Sequence, residues 1–333
     1  MIVHHIWAVV SIIAATVTRA SEHITEYASF DEFKNAVNRS YMHAFDEFRS
    51  REAFEQNANV VRQHNKLFEK GESSYRLRTN IMADMNNDYY LKGFLRLLKS
   101  KRFGAGVDLD SEIVGSPLMQ LTPEAIDWRT KGFNTQPDNQ KTCGSCYAFS
   151  IAESIEGQVF KRTRRVLHLS PQQIVDCSVS HGNQGCTGGS LRNTLKYLQE
   201  TGGIMREQDY RYVSKKGVCQ FAPELAVVNV TSWAILPAKD EKAIEAAVAH
   251  IGPVPVSINA TPRTFQLYSD GIYDDDSCSS DTVNHAMLVV GYTKDYWILK
   301  NWWGEMWGED GYMRLRKGKN LCGIANYAAY SII

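Results

Sequence analysis

The sequence predicts an α+β protein in which a helical unit precedes a domain of two lobes, helices coming first and strands afterwards. Three observations carry that prediction. Apolar residues recur at helical spacing through the first third. β-rich runs bounded by Gly, Asp or Pro crowd the last third. Between them the chain changes character: all 7 cysteines, and every tryptophan but Trp7, lie beyond about residue 122.

Residues 1–20 hold an apolar run that ends in Thr18-Arg19-Ala20, with small residues where a leader is cut. The stretch reads as a signal peptide, although His4 and His5 stand where Lys or Arg is usual. It is too short and too weakly apolar for a membrane-spanning helix, and no other run approaches that length. Residues 21–121 form the helical unit. Phe30, Phe33, Ala36 and Val37 share one helix face. Phe54, Ala58, Val61 and Phe68 share a face of a longer helix over 45–68, with mixed charges opposite. A short third helix is expected over 88–98. Over 99–117 basic residues and glycines replace the pattern, which reads as an exposed linker open to proteolysis.

The last unit, 122–333, begins with a helix expected over 146–162, where Ala148, Ala152, Ile155 and Val159 fall on one side. Shorter helices are expected over 170–177 and 190–202. Strands follow over 227–234, 254–258, 286–292, 296–300 and 311–315. Lys plus Arg (37) balances Asp plus Glu (37), so charge gives no reason to expect nucleic acid or an anionic membrane as partner. Export permits disulfides, and none can staple the helical unit, which has no cysteine. Three bridges among 7 cysteines leave one thiol over.

The strongest local signal is Cys143-Gly144-Ser145-Cys146-Tyr147. Cys-x-x-Cys alone could be a redox pair or half a zinc site, but the βαβ context and the second Cys-x-x-Cys are both missing. Placed in the first turn of a helix, Cys146 would have its thiolate favoured by the helix dipole. His285 could stabilise that thiolate as an imidazolium and donate its proton to a leaving amine. Asn301 could fix the ring's orientation. Gln140, shortly before Cys146, could offer a side-chain amide to a developing oxyanion; such a donor is worth about 3 kcal/mol.

These residues resemble the papain family, specifically its cathepsin-L-like members. The signature around Cys146 matches, His285 falls within the roughly 130 to 150 residues downstream that it expects, and Asn301 lies a few residues beyond. Further matching blocks are Asp127-Trp128-Arg129, Cys186-Thr187-Gly188-Gly189, Asn284-His285-Ala286, Lys300-Asn301, Trp303-Gly304, Trp307-Gly308 and Cys322-Gly323-Ile324-Ala325. The resemblance implies a papain-like fold with the active-site cleft between a helical and a barrel-like β lobe. It implies a thiol endopeptidase working through Cys146, His285, Asn301 and Gln140 without metal or organic cofactor. Trp303 would shield the Asn301–His285 bond. Implied disulfides are Cys143–Cys186, Cys177–Cys219 and Cys278–Cys322, leaving Cys146 free.

The family also implies that the helical unit is a propeptide lying in reverse through the cleft. The expected pattern is present as Glu47, Arg51, Phe54, Asn57, Val61 and Asn65, with one residue missing between Arg51 and Phe54. A second pattern survives as Asn80, Met82 and Asp84, with Arg78 where glycine is expected. Activation is expected by a cut near 120–122, promoted by acid weakening the carboxylate contacts that hold the propeptide. Gly188 and Gly189 would let substrate backbone approach. Leu191, Ser257, Val283, Ala286 and Tyr327 would line the pocket for the second residue before the cut, with Tyr327 shortening it toward medium aliphatic side chains.

Three departures bear on activity. Tyr147 replaces a commoner tryptophan, Lys141 stands where glycine is usual, and Trp302 stands where a small serine is usual, so that it either crowds the triad or lies on the surface. No long insertion follows Cys177 to convert an endopeptidase into an exopeptidase. Glycan acceptor triplets begin at Asn38, Asn229 and Asn259. The expected protein is a lysosomal or extracellular monomer acting on proteins or peptides. The competing reading, a catalytically weakened exported relative that binds proteins or serves a structural role, predicts a lost Cys, His or Asn, and all three are present.

Overall fold

The computed structural model describes residues 27–98 and 122–333. The signal peptide and the linker expected over 99–117 lie outside the described residues. The N-terminal unit comprises α1 (Phe30–Ala36), α2 (Ala44–Glu69), β1 (Tyr75–Leu77) and α3 (Asn87–Phe94). Its core is aromatic: Phe30, Phe33 and Phe54 are buried, with Phe33 and Phe54 ring centroids 5.1 Å apart. The spaced polar residues of α2 tie that helix to its neighbours. Arg51 grips Asp31 bidentately, Asn57 Nδ2 donates to the Ala83 and Met85 carbonyls, and Asn65 both donates to and accepts from Leu77.

The second unit runs β2 (Ile126–Asp127), α4 (Cys146–Thr163), α5 (Pro171–Cys177), α6 (Leu191–Thr201), β3 (Ile204–Met205), β4 (Ala226–Val228), β5 (Ser232–Ile235), α7 (Glu241–His250), β6 (Val254–Ile258), α8 (Arg263–Gln266), β7 (Tyr268–Tyr273), β8 (His285–Tyr292), β9 (Tyr296–Lys300), β10 (Tyr312–Arg316) and β11 (Ala329–Ile332). Helix starts follow their caps. Ser170, Ser190 and Asp240 each accept a backbone N–H three residues on, and Pro171 opens α5 where its missing N–H costs nothing. The main sheet has the order β1-β7-β10-β9-β8-β2, with β6 also paired to β8. β6 and β8 are buried along their whole length; their residues are mostly apolar, and the polar Ser257 and His285 are hydrogen-bonded.

Three expectations change. The strand expected over 227–234 is two strands that diverge at 229–231: β4 pairs with β3, β5 with β11. The helix expected over 88–98 stops at Phe94, and the chain beyond it is extended. β1 is an unforeseen addition to the main sheet, antiparallel to β7. Disulfides join Cys143–Cys186, Cys177–Cys219 and Cys278–Cys322, spanning 43, 42 and 44 residues. Loops of that size are worth up to about 4 kcal/mol each in the chain-entropy model. Cys146 is the free cysteine.

Candidate active site

The site begins with a helix left uncapped. Ser145 precedes α4 but does not cap it; its hydroxyl instead meets the Cys143 carbonyl and the Tyr212 hydroxyl. No acidic residue occupies the first turn of α4. The orphan N–H groups of Cys146 and Tyr147 therefore face the Cys146 sulfur, joined by the N–H of Ala286. That last contact sets the sulfur against the start of β8, the strand His285 opens.

His285 is fully buried, and its Nε2 lies 2.7 Å from Asn301 Oδ1. The same Oδ1 accepts the Trp302 backbone N–H at 2.9 Å, so it is an acceptor on both sides and Nε2 carries the proton. Nδ1 is then the nitrogen that can exchange one, and it has no hydrogen-bond partner among the described residues. Trp303 stacks on the imidazole, centroids 4.9 Å apart, and is itself buried. Trp302 neither crowds the imidazole nor reaches the surface. It is fully buried, donates Nε1–H to the Ala286 carbonyl at 2.9 Å and stacks on Phe149 of α4. Lys141 adopts φ 53°, the left-handed conformation glycine would take freely, with its N–H bonded to Asn139 Oδ1.

The N-terminal unit fills the cleft. Gln140 Nε2 donates to the Cys143 carbonyl at 3.0 Å and reaches the Phe94 carbonyl at 3.4 Å. Leu97 N–H donates to the Asn284 carbonyl and Leu98 N–H to that of Gly189, as Leu97 bridges Gly189 in parallel. Gly188 has φ 128°, and a Cβ there would stand 2.1 Å from the Arg96 carbonyl oxygen, so only glycine admits this chain. Docking elsewhere is polar and specific. Arg78 donates to the Met306 and Gly308 carbonyls, Asn80 to that of Gln266, and Tyr90 to that of Ala260. Arg78 thus makes contacts that the glycine expected at its position could not.

Under this cover both groups are held neutral. Burial pushes the Cys146 thiol up to about 12, against the backbone N–H groups that favour its thiolate, and lowers His285 to about 4, against the pull of Asn301.

Ser257, Ala286 and Tyr327 meet: Ser257 is opposite Ala286 in the β6–β8 pair, and its N–H and hydroxyl both bond the Tyr327 carbonyl. Val283 lies two residues before His285. Leu191 is buried at the start of α6, on the Gly189 side of the cleft. Asn38 and Asn229 are exposed. Asn259 is a correction: it is buried, with Nδ2 donating to the Ser279 carbonyl, and cannot carry a glycan in this fold. Among the described residues no group of three or more His, Cys, Asp or Glu is placed to hold a metal ion, and no helix is long and apolar enough to cross a membrane. Sequence reasoning missed Tyr212, whose hydroxyl joins Ser145 Oγ to the Gln140 carbonyl. No spacing rule connects it to the motif.

Residues 122–332 match the family of papain cysteine proteases, and residues 30–90 match the cathepsin propeptide inhibitor domain. The chain is 37% identical to cathepsin L2 of Homo sapiens over 304 residues, covering 89% of each. It is 38% identical to procathepsin L of Rattus norvegicus over 318 residues, covering 92% of each. The structure of digestive procathepsin L 3 from the larval midgut of Tenebrio molitor superposes with a TM-score of 0.80 at 35% identity, covering 91% of this chain and 97% of that one. The chain belongs to the papain family of cysteine proteases and is a cysteine endopeptidase zymogen that carries its own propeptide inhibitor domain.

Proposed function

We propose that Cys146 is the nucleophile of this endopeptidase, His285 its proton partner, Asn301 the residue that orients the imidazole, and Gln140 the oxyanion donor. The observation that carries the reading is the single free cysteine at the uncapped start of α4, against the strand that His285 opens. When the propeptide leaves, water reaches the pair and the thiolate–imidazolium state gains on the neutral one. The sulfur attacks the substrate carbonyl, and the oxyanion is received by Gln140 Nε2 and the Cys146 backbone N–H. As the C–N bond breaks, His285 Nδ1 gives its proton to the leaving amine. A water then attacks the thioester, returning a proton to Nδ1, and the thiolate departs. The test is labelling of the acid-processed precursor with a thiol-directed epoxysuccinyl inhibitor, the adduct mapped by mass spectrometry. The expected adduct is on Cys146, and only after mass loss of the N-terminal unit. No adduct on a folded, processed protein would sink the assignment.

Residues 1–20 are proposed as signal peptide, 21–121 as propeptide and 122–333 as mature enzyme, exported to the lysosome or the cell exterior. The three disulfides support an oxidising compartment. Asn38 and Asn229 remain as glycan acceptors. Leu191, Ser257, Val283, Ala286 and Tyr327 are proposed to line the pocket for the second residue before the cut. With Tyr327 at its far end, the processed enzyme should turn over leucyl peptides faster than phenylalanyl ones, and Tyr327→Ala should narrow the difference. Equal kcat/KM for both substrates, unchanged by the substitution, would dispose of this pocket.

Acid release is proposed to work through a histidine as well as through carboxylate contacts such as Arg76–Asp270, 3.0 Å, that join the two units. The buried Asp84, bonded to Arg39 and Tyr41, has its carboxyl raised by burial, so its contribution to stability grows as pH falls. The Asp31–Arg51 pair does lose strength in acid, but it is exposed and worth little. His64 of α2 is the better acid-sensitive group. Its Nε2 lies 3.0 Å from the Tyr75 carbonyl, and its ring packs on Tyr75, which in turn packs on Tyr273 of the enzyme. Burial holds this imidazole below its ordinary 6.5, so the folded propeptide prefers it neutral. Its stabilisation is full above that pH and is lost as pH falls from there through the lowered folded value. His64→Gln should therefore move the midpoint of acid activation to lower pH, read as peptidase activity appearing across a pH series. An unmoved midpoint would exclude His64 as the trigger.

A further inference from the structure

Tyr212 lies in the loop after β3, remote in sequence from the cysteine motif, with its hydroxyl between two residues of the site. Its Oη is 2.9 Å from the Gln140 carbonyl oxygen and 2.6 Å from Ser145 Oγ. A carbonyl only accepts, so the phenolic proton goes to Gln140 and the serine hydroxyl donates to Oη. The other acceptor within reach of that serine, the Cys143 carbonyl, stands farther off at 3.3 Å. Burial pushes the Tyr212 hydroxyl above its ordinary range, so it keeps the proton that these bonds need. The residue is held from two further sides. Its backbone N–H donates to Glu207 Oε1 at 2.8 Å, and its ring packs T-shaped on Phe149 of α4, centroids 4.7 Å apart. None of these partners belongs to the N-terminal unit, so none of them leaves with it.

The two residues that Tyr212 joins carry the two donors of the oxyanion site. One donor is the Gln140 side-chain amide; the other is the Cys146 N–H, which belongs to the peptide group that Ser145 shares with Cys146. Residues 140–145 are turns and irregular backbone, so no helix or strand sets the distance between them. Gln140 is already anchored through its N–H, which donates to the Trp302 carbonyl at 2.8 Å. The Tyr212 hydroxyl ties down its carbonyl as well. Ser145 stands where a serine hydroxyl ordinarily caps a helix by engaging the N–H two or three residues on. Bonded to Tyr212 it makes no cap, and the N–H groups of Cys146 and Tyr147 stay on the sulfur.

We infer that Tyr212 is a positioning residue of this peptidase, its hydroxyl setting the spacing between the Gln140 amide and the Cys146 N–H. The inference rests on Gln140 being the oxyanion donor proposed above. Donors of this kind act on the oxygen as it becomes negative, so misplacing them lowers kcat and leaves KM nearly alone. Deleting one outright costs about 10² to 10³ in kcat, which bounds what a loosened pair can lose.

The test is Tyr212→Phe in the processed enzyme, with rates counted per site titrated by the epoxysuccinyl inhibitor, so that unfolded protein does not enter. The expected result is a fall in kcat of about tenfold to a hundredfold, with KM within about twofold of wild type. In a Gln140→Ala background the same substitution should cost about threefold at most, because the amide that Tyr212 aims is gone. A ring that served only folding would act alike in both backgrounds, so equal losses would overturn the inference. Wild-type kcat in Tyr212→Phe beside an impaired Gln140→Ala would overturn it alone. Wild-type kcat in Gln140→Ala, or a folded, processed wild type that takes no label, would remove the catalytic assignment and this inference with it.

Discussion

Replacing Cys146 with alanine is expected to lower kcat/KM by about 10⁵-fold or more, the scale on which deleting a hydrolase nucleophile acts. The fold should hardly notice. Cys146 is the one cysteine outside the disulfides, and its sulfur meets only backbone N–H groups, whose hydrogen bonds to sulfur are weak. Removing one buried atom leaves a cavity worth about 1 kcal/mol. The loss must therefore appear in peptide hydrolysis by the processed protein and not in its thermal midpoint. Cys146→Ser sharpens the test. Serine keeps the volume, but its hydroxyl does not ionise under conditions where the thiol does, so the helix N-terminus and His285 cannot raise a nucleophile from it. Activity within tenfold of wild type in either variant would show that another group attacks the substrate. Because Cys146 is also the labelled residue in the epoxysuccinyl test, the alanine variant must stay unlabelled.

Trp302→Ala should cost about 4 kcal/mol of stability, lowering the thermal midpoint of the precursor by roughly 10 °C. The indole is fully buried, stacks on Phe149 at 5.6 Å and satisfies the Ala286 carbonyl. Alanine removes the packing and leaves that carbonyl unpaired in the interior. The family resemblance leads to a small serine at this position, so substitution toward a small residue would look benign from sequence alone; here the indole packs on Phe149 of α4. Trp302→Phe separates the two contributions, keeping most of the volume while losing the N–H, and should cost about 1 to 2 kcal/mol. The catalytic readout should follow more weakly, since the Trp302 backbone N–H that orients Asn301 survives both substitutions. A stability loss below about 1 kcal/mol for Trp302→Ala would mean that the cavity collapses and that the indole is not a structural element of the site.

Much of this was legible in the chain. The periodicity of Ala148, Ala152, Ile155 and Val159 located α4 to within a residue, because a helix buried on most sides repeats its apolar positions whatever surrounds it. The helices expected over 170–177 and 190–202 are α5 and α6, whose starts Ser170 and Ser190 cap. Strand β6 and its neighbours were readable from β-branched runs, since both faces are buried. The elements that escaped were those whose partner is remote. β1 is a three-residue strand that exists because β7, nearly two hundred residues on, offers its edge. The end of α3 at Phe94 follows from Leu97 and Leu98 finding the Asn284 and Gly189 carbonyls, a competition that no local pattern records.

The sequence by itself determined the odd cysteine, by simple counting, and the helix that carries it, by local spacing, while the candidate catalytic residues and their order followed from the family resemblance of its motifs. The tertiary structure decided the rest. It placed Trp302 beneath Ala286, where sequence left it between crowding the triad and lying on the surface. It set Lys141 in the left-handed conformation and withdrew Asn259 from glycan attachment. For Trp302 and Asn259 the deciding quantity is burial by residues distant in sequence, which the spacing of any one segment does not encode.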